Sequence, residues 1–129
     1  MFVTKDDNIV INEIAPRVHN SGHHTLQSSK TSQFEQHLRA ILGLELGETT
    51  LIHPTIMYNI LGSKSFNGKY IPITISESDV YLKMYGKEIS KPSRKLGHVN
   101  IVSNENETID DLLKKVESIK DKVITKPIE

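Results

Sequence analysis

Residues 50–62, TLIHPTIMYNILG, and residues 70–86, YIPITISESDVYLKMYG, carry the pattern that decides the fold class. In both stretches apolar side chains recur at every second position, which is the period of a β-strand. Gly62 and Gly86 mark the points where these strands are expected to end. A further short strand is expected over residues 98–102. This part of the chain is therefore predicted to be rich in β-structure.

Helices are predicted on both sides of this β-rich part. Upstream, Ser32 followed by Glu35 is typical of a capping box, and Gly43 is a credible end of the helix. Downstream, Thr108 is expected to cap a second helix. The apolar faces are formed by Phe34, Leu38, Ile41 and Leu42 in the first helix and by Ile109, Leu112, Leu113, Val116, Ile119 and Val123 in the second.

The first 31 residues contain a hairpin and a loop. Residues 2–14 are interpreted as two strands around a turn at residues 5–7, because Asp and Asn favour turns. Residues 15–31 have no usable period and contain Pro16 and Gly22, so we expect a long loop there; such loops often carry function. Strand, loop, helix, strands and helix in this order indicate the α+β class.

Composition excludes several classes of protein. A chain of 129 residues and 14.6 kDa is the size of one domain. Its 16 basic residues balance 16 acidic ones, which gives no general attraction to nucleic acid or to a membrane surface. It has no cysteine, and no apolar run approaches the length of a membrane span. Without a signal-peptide pattern, the expected location is cytoplasmic.

The first candidate site is the pair Asn12 and Glu13 at the end of the hairpin. Oxygen ligands of this kind suit a hard cation such as Mg²⁺ that also binds substrate phosphates. A strand-end carboxylate that simply faces water is the alternative.

The second candidate site is the group Arg17, His19, Asn20 and Ser21. A guanidinium and neutral donors within five residues suit an anion, although an ordinary polar loop remains the alternative. The histidines of this segment do not have the helical spacing of a zinc protease, so no zinc site is expected.

The third candidate site is a basic patch over residues 87–98. It contains Lys87, Lys91, Arg94, Lys95 and His98 in an otherwise neutral chain. One or two fixed cations suffice to bind a single phosphate group, whereas a solvated basic turn is the alternative. Few aromatic residues are interleaved, which disfavours nucleic-acid binding.

Two separated motifs resemble a known family. NEIAPR (residues 12–17), HNSGH (19–23) and SQFEQHLRA (32–40) are similar to the C-terminal part of the 5-(carboxyamino)imidazole ribonucleotide synthases (PurK), which are ATP-grasp ligases. RKLGH (94–98), with Lys87 before it, is similar to the second signature of that family. The formate-dependent glycinamide ribonucleotide transformylases have a comparable loop, but Asp-Thr-Gly is expected there in place of NSG, so they match less well.

The resemblance implies a fold and a reaction. Residues 1–48 would end an ATP-grasp domain with antiparallel strands and a capped helix, and residues 49–129 would form a small β-rich subdomain with a terminal helix. The reaction is a step of de novo purine biosynthesis, in which ATP and bicarbonate form carboxyphosphate. The carboxyl group then passes to the amine of aminoimidazole ribonucleotide.

The resemblance also assigns roles to residues. Glu13, with Asn12 beside it, corresponds to a Mg²⁺-binding carboxylate under the ATP phosphates. The loop that holds bicarbonate or carboxyphosphate corresponds to Arg17, His19, Asn20 and Ser21, of which the first three are the predicted catalytic residues. Lys87 and Arg94 correspond to the pair that grips the 5′-phosphate of the ribonucleotide.

Other parts of the family pattern differ or lie elsewhere. Ser93 stands where the family commonly has Gly, and Val18 replaces a frequent Pro. The adenine pocket and the first Mg²⁺ carboxylate of the family lie upstream of this segment, so ATP and Mg²⁺ are expected to need an N-terminal part. The chain is therefore expected to be an inactive fragment by itself, and the family's usual homodimer is a further expectation. The alternative function is a non-catalytic module that binds a phosphorylated metabolite or a partner through residues 87–98.

Overall fold

Three antiparallel sheets and three α-helices make up residues 1–128, which are the residues that the computed structural model describes. In chain order the elements are β1 (Phe2–Val3), β2 (Ile9–Val10), a 3₁₀ helix (Asn20–His24), α1 (Thr25–Ser28), α2 (Gln33–Ile41), β3 (Thr55–Leu61), β4 (Gly68–Lys69), β5 (Val80–Met84), β6 (Ile89–Ser90), β7 (Lys95–Val102), α3 (Ile109–Lys120) and a second 3₁₀ helix (Asp121–Val123). The α+β class expected from the sequence is confirmed.

The central sheet has the order β3–β7–β5 and is antiparallel throughout. Its register places Tyr58 opposite Val99 and Val99 opposite Leu82. Because side chains alternate along a strand, this row and the rows two residues away share one face. That face is apolar and packs against α3, whereas the other face is polar.

The hydrophobic core lies between this apolar face and the C-terminal helices. Its buried members are Ile60, Val80, Leu96, Val99, Ile101, Leu112, Val116, Ile119 and Val123. Helix α3 begins with a complete capping box, in which Thr108 and Asp111 satisfy each other's backbone N–H groups. Lys115 on the same helix forms ion pairs with Asp79 and Glu107, which fasten α3 to the segment before β5.

The N-terminal elements have no comparable core. The β1–β2 hairpin is formed as expected, and Asp7 with φ 57° makes its turn. Helix α2 begins at the predicted cap, because Ser32 Oγ accepts a hydrogen bond from the Glu35 N–H. No residue of α2 is buried. The Glu35 carboxylate binds Arg39 at 2.7 Å instead of closing a capping box.

Three expected boundaries are wrong. The loop over residues 15–31 contains the first 3₁₀ helix and α1, because Gly22 N–H bonds to His19 O and Thr25 Oγ1 to Gly22 O, and these bonds wind the segment. The strand expected over residues 70–86 is formed only at Val80–Met84, and at the start of that segment Tyr70 makes an isolated bridge to Pro127. Residues 87–95 of the basic patch, expected to be a loop, contain β6, which pairs with β4.

Candidate functional site

The polar face of the central sheet carries a row of hydrophilic residues. Asn59 of β3 lies opposite His98 of β7, which in turn lies opposite Lys83 of β5. Tyr85 follows Lys83 by two positions and therefore falls on the same side. His98 is only 2% exposed, so this polar row is covered by another part of the chain.

The first 3₁₀ helix provides that cover. Asn20 Nδ2 donates to Asn59 Oδ1 at 2.9 Å, and Asn100 Nδ2 donates to the backbone oxygen of His23 at 2.9 Å. The His23 ring stacks on the His98 ring with 4.2 Å between the centroids. The segment that carries the second candidate site is therefore held on the sheet by hydrogen bonds and ring stacking.

His19 and Ser21 begin this 3₁₀ helix. His19 Nδ1 accepts a hydrogen bond from the Ser21 N–H at 3.3 Å and lies 2.9 Å from Ser21 Oγ. The side-chain amide of Gln33 bonds to both backbone groups of His19, at 3.1 Å and 2.6 Å. A Cβ at Gly22 would lie 2.2 Å from Gln33 Cδ. Gly22 thus allows α2 to approach the loop closely.

Tyr85 joins two of the sequence-predicted sites. Its hydroxyl lies 2.8 Å from His98 Nδ1 and 3.5 Å from Asn20 Oδ1. The ammonium of Lys87 lies 5.6 Å from the centre of the Tyr85 ring, which is within the range of a cation–π contact. Asn20 from the second site and Lys87 from the third therefore meet at one aromatic side chain.

Lys87 and Arg94 are each fixed by a backbone oxygen. Lys87 Nζ donates to Lys95 O at 2.6 Å, and Arg94 Nη1 donates to Ile89 O at 3.1 Å. An ammonium has three N–H groups and a guanidinium has five, so each retains donors for an anion. Both side chains are partly exposed. Lys87 also lines a cavity of about 440 Å³ together with Tyr70.

The turn before Arg94 is held by β3. The Ser93 N–H donates to Gly62 O at 3.1 Å, and the Gly62 N–H donates to Arg94 O at 2.8 Å. Ser93 has φ 61°, in the left-handed region that favours glycine. The Gly-to-Ser departure from the family pattern therefore falls at a position where a side chain is strained.

Arg17, Asn12 and Glu13 make no side-chain hydrogen bond to this cluster within residues 1–128. Arg17 is exposed, and its Nη1 donates to the backbone oxygen of Val18 at 3.1 Å. Asn12 and Glu13 are also exposed and make no side-chain hydrogen bond within residues 1–128. The structure thus brings Asn20 and Lys87 together, whereas the Arg17 and Glu13 side chains extend toward solvent.

Burial keeps the centre of this site uncharged. It lowers the pKa of His98 to about 4, and the neighbouring His23 and Lys83 add to this effect. Burial, and then the charge of Lys95, lowers the pKa of His23. Burial raises the pKa of the Tyr85 hydroxyl. At neutral pH the network consists of neutral donors and acceptors, and Lys87 and Arg94 supply the positive charge.

Sequence reasoning missed several residues that position the site. Asn59 is one position of an alternating strand, yet its polar side chain among apolar neighbours indicates a polar sheet face. Tyr85 belongs to the same series as Lys83, two positions earlier. Gln33 has no signal of its own, because its role depends on how closely α2 approaches the loop.

Comparisons with known proteins identify the family and the fold. Residues 55–112 match the model of the phosphoribosylaminoimidazole carboxylase C-terminal domain, and residues 1–34 match the ATP-grasp domain. The N5-carboxyaminoimidazole ribonucleotide synthase of Bacillus subtilis is 44% identical over 116 residues, which are 89% of this chain and 30% of that protein. The structure of the Thermotoga maritima synthetase superposes with a TM-score of 0.83 at 42% identity, covering 98% of this chain and 35% of that one.

The chain is homologous to the C-terminal region of the N5-carboxyaminoimidazole ribonucleotide synthases (PurK), in the ATP-grasp family. It spans about a third of the length of these relatives. A related synthase from Aspergillus clavatus was solved in complex with ADP and 5-aminoimidazole ribonucleotide. That structure is 30% identical, has a TM-score of 0.75, and covers 95% of this chain and 33% of its own.

No helix within residues 1–128 is long and apolar enough to cross a membrane.

The resemblance seen in the sequence motifs is confirmed at the level of the family and of the fold, and the roles of individual residues remain predictions.

Proposed function

We propose that this chain is the C-terminal part of an ATP-dependent ligase of de novo purine biosynthesis. In the proposed reaction, bicarbonate attacks the γ-phosphorus of ATP and forms carboxyphosphate and ADP. The exocyclic amine of aminoimidazole ribonucleotide then attacks the carboxyl carbon, a C–N bond forms, and phosphate leaves as the C–O bond breaks. The reaction for which the related synthases are named supports the proposal.

The first anion subsite consists of Arg17, His19, Asn20 and Ser21. Neutral donors held in fixed positions stabilise charge that develops on a reacting carboxylate, and they need no reorganisation during the reaction. The Asn20 amide keeps one N–H free when the other bonds to Asn59. Arg17, whose guanidinium is exposed, is proposed to turn toward the transferred phosphoryl group when the site is complete.

The second anion subsite consists of Lys87 and Arg94, which are proposed to bind the 5′-phosphate of the ribonucleotide. Their contacts to backbone oxygens hold both cations in place before the ligand binds. A guanidinium offers two parallel donors to phosphate, and an ammonium adds a point charge.

Asn12 and Glu13 are proposed to bind Mg²⁺, but they form only part of a metal site. Mg²⁺ takes six oxygen ligands, and these two side chains can provide two or three of them. Residues 1–128 contain no group of three or more histidine, aspartate or glutamate side chains that could hold a metal ion. The remaining ligands, like the ATP-binding residues, must come from phosphates, water and the rest of the protein.

One observation carries the proposal: Asn20 and Lys87, which belong to different sequence motifs, contact the same tyrosine. This convergence is what a site for a carboxylating agent beside a phosphorylated substrate requires, because the two reactants must be held close together.

The test measures carboxylation by the protein that includes the N-terminal two thirds. Arg94→Ala is expected to raise the KM for the ribonucleotide roughly 10- to 150-fold, the loss for a charge-assisted hydrogen bond. Arg94→Lys keeps the positive charge but loses the two parallel N–H donors of the guanidinium, so its KM for the ribonucleotide should lie between those of Arg94→Ala and the parent. The control is Lys114→Ala, because this lysine lies in helix α3 and its side chain is highly exposed. An unchanged KM in Arg94→Ala removes Arg94 from the site.

The alternative, a non-catalytic module, makes a different prediction for the 129-residue chain alone. A module must bind the ribonucleotide clearly in calorimetry, whereas a ligase fragment should bind it weakly and hydrolyse no ATP. Ribonucleotide-dependent ATP hydrolysis by this chain would contradict its proposed need for an N-terminal part.

A further inference from the structure

The Tyr85 side chain lies between the two proposed anion subsites without belonging to either. Its hydroxyl faces His98 and Asn20, and its ring faces the ammonium of Lys87. Nothing in the sequence motifs assigns a role to this residue.

The backbone holds Tyr85 in a fixed position. Its N–H donates to Leu96 O at 2.8 Å and so extends the β5–β7 ladder by one residue. Gly86 follows with φ 68° and turns the chain sharply, and Tyr70 Oη donates to Lys87 O at 2.8 Å just beyond the turn. A ring anchored at both ends of its segment can orient its neighbours without moving.

We propose that Tyr85 is a positioning residue that aligns both subsites, its hydroxyl orienting the Asn20 amide and its ring carrying the Lys87 ammonium. This inference rests on the proposed function of those two residues. Through Tyr85, the carboxyl-binding loop and the phosphate-binding loop keep a constant separation, which the transfer of a carboxyl group between their ligands requires.

The hydrogen-bond distances specify how the hydroxyl acts. Asn20 Oδ1 can only accept, so a hydroxyl that orients it must donate its single proton there and accept from His98. The proposal therefore requires that His98 carry its proton on Nδ1. The contact to Asn20 is long at 3.5 Å, whereas the contact to His98 is short at 2.8 Å, so His98 places the hydroxyl and the hydroxyl then orients the amide.

The test separates the hydroxyl from the ring in the complete ligase. Tyr85→Phe removes only the hydroxyl, so the KM for bicarbonate should rise about two- to tenfold and the KM for the ribonucleotide should change less than about twofold. Tyr85→Leu also removes the ring, so the KM for the ribonucleotide should rise about two- to fivefold in addition. The control is Tyr81→Phe, in the same strand and the same side-chain series, whose hydroxyl makes no side-chain hydrogen bond within residues 1–128.

A purely structural role gives a different pattern, in which both KM values and the melting temperature change together in Tyr85→Phe. A second readout is the ¹⁵N spectrum of His98, where a protonated Nδ1 is expected and a protonated Nε2 alone overturns the inference. Asn20→Ala separates the proposed role of Asn20 from the proposed role of Tyr85. If it raises the KM for bicarbonate but Tyr85→Phe does not, the inference fails and the proposed function stands; if neither changes it, the proposed role of Asn20 fails and the inference falls with it.

Discussion

Helices α2 and α3 each carry apolar side chains at three- and four-residue spacing, but the chain buries such side chains only in α3, at Leu112, Val116 and Ile119. Leu112 of α3 is 1% exposed, whereas Leu38 of α2 is 59% exposed. The same contrast extends to whole regions, since residues 55–128 enclose a core and residues 1–52 leave most of their large apolar side chains open to solvent. An amphipathic pattern therefore predicts a face that needs cover, without telling whether the same chain provides it.

The two regions meet at the polar face of the central sheet. His23 and Asn20 come from the N-terminal region, and His98 and Asn59 come from the sheet. This seam contains hydrogen bonds and stacked rings. It also holds the candidate site, so the attachment of the N-terminal region and the geometry of the site depend on the same residues.

The largest expected effect is a difference in stability between matched substitutions in the two helices. Leu112→Ala should lower the free energy of unfolding of the 129-residue chain by about 3–4 kcal/mol, because it leaves a cavity in the core. Leu38→Ala should change it by less than about 0.5 kcal/mol, because the side chain is already solvated. Chemical denaturation followed by circular dichroism measures both. Equal losses would show that α2 has a packing partner within this chain.

The second effect is a pH dependence located at the seam. Because the folded state lowers the pKa of His98 from about 6.5 to about 4, the unfolded chain binds protons first as the pH falls. The stabilisation that neutral His98 gives the folded state is complete above about pH 6.5 and is lost as the pH falls toward 4. The loss is roughly 2–3 kcal/mol of unfolding free energy for one histidine. His23, whose pKa is also lowered, acts in the same direction. Unfolding free energies measured from about pH 7 to about pH 4.5 should therefore decrease.

A pair of glutamine variants assigns this slope to the seam. His98→Gln and His23→Gln each remove one of the two groups whose pKa is lowered, so each should reduce the slope above about pH 4.5. A slope that stays the same in both variants would place the titration outside the seam.

The smallest effect is an increase in stability from a substitution in the C-terminal region. Ser93 has a left-handed backbone that a side chain disfavours, so Ser93→Gly should raise the free energy of unfolding by about 0.5–1 kcal/mol. Thermal unfolding should show a higher melting temperature. Ser93→Ala is the control, since it removes the hydroxyl and keeps the strain, and an equal gain in that variant would attribute the effect to the hydroxyl.

Much of the fold could be predicted from local patterns. The caps at Ser32 and Thr108, the hairpin turn and the strand around Ile56–Ile60 depend on residues close in sequence, and the structure has all four. The winding of residues 20–28 and the short β4–β6 pair could not be predicted in this way. The β4–β6 pair joins segments distant in the chain, and residues 20–28 are wound by local hydrogen bonds and held by bonds to Asn59 and Asn100. No local period reveals these bonds.

The candidate site divides along the same line. The types and spacing of its charged and donor residues suit anions but leave ordinary polar loops as alternatives, and the resemblance to the family assigns their roles, which stay predictions. Asn59, Tyr85 and Gln33 hold these residues in position through tertiary contacts. No sequence motif marks these three positions as part of a site.

The contact between Gln33 and His19 has a mechanical consequence. Gln33 is the first residue of α2, and its amide grips both backbone groups of His19. These two bonds couple the first turn of α2 to the start of the 3₁₀ helix, and Gly22 is the point at which the two segments approach most closely. Whatever settles against the open side of α2 also sets the angle at which the imidazole of His19 is presented.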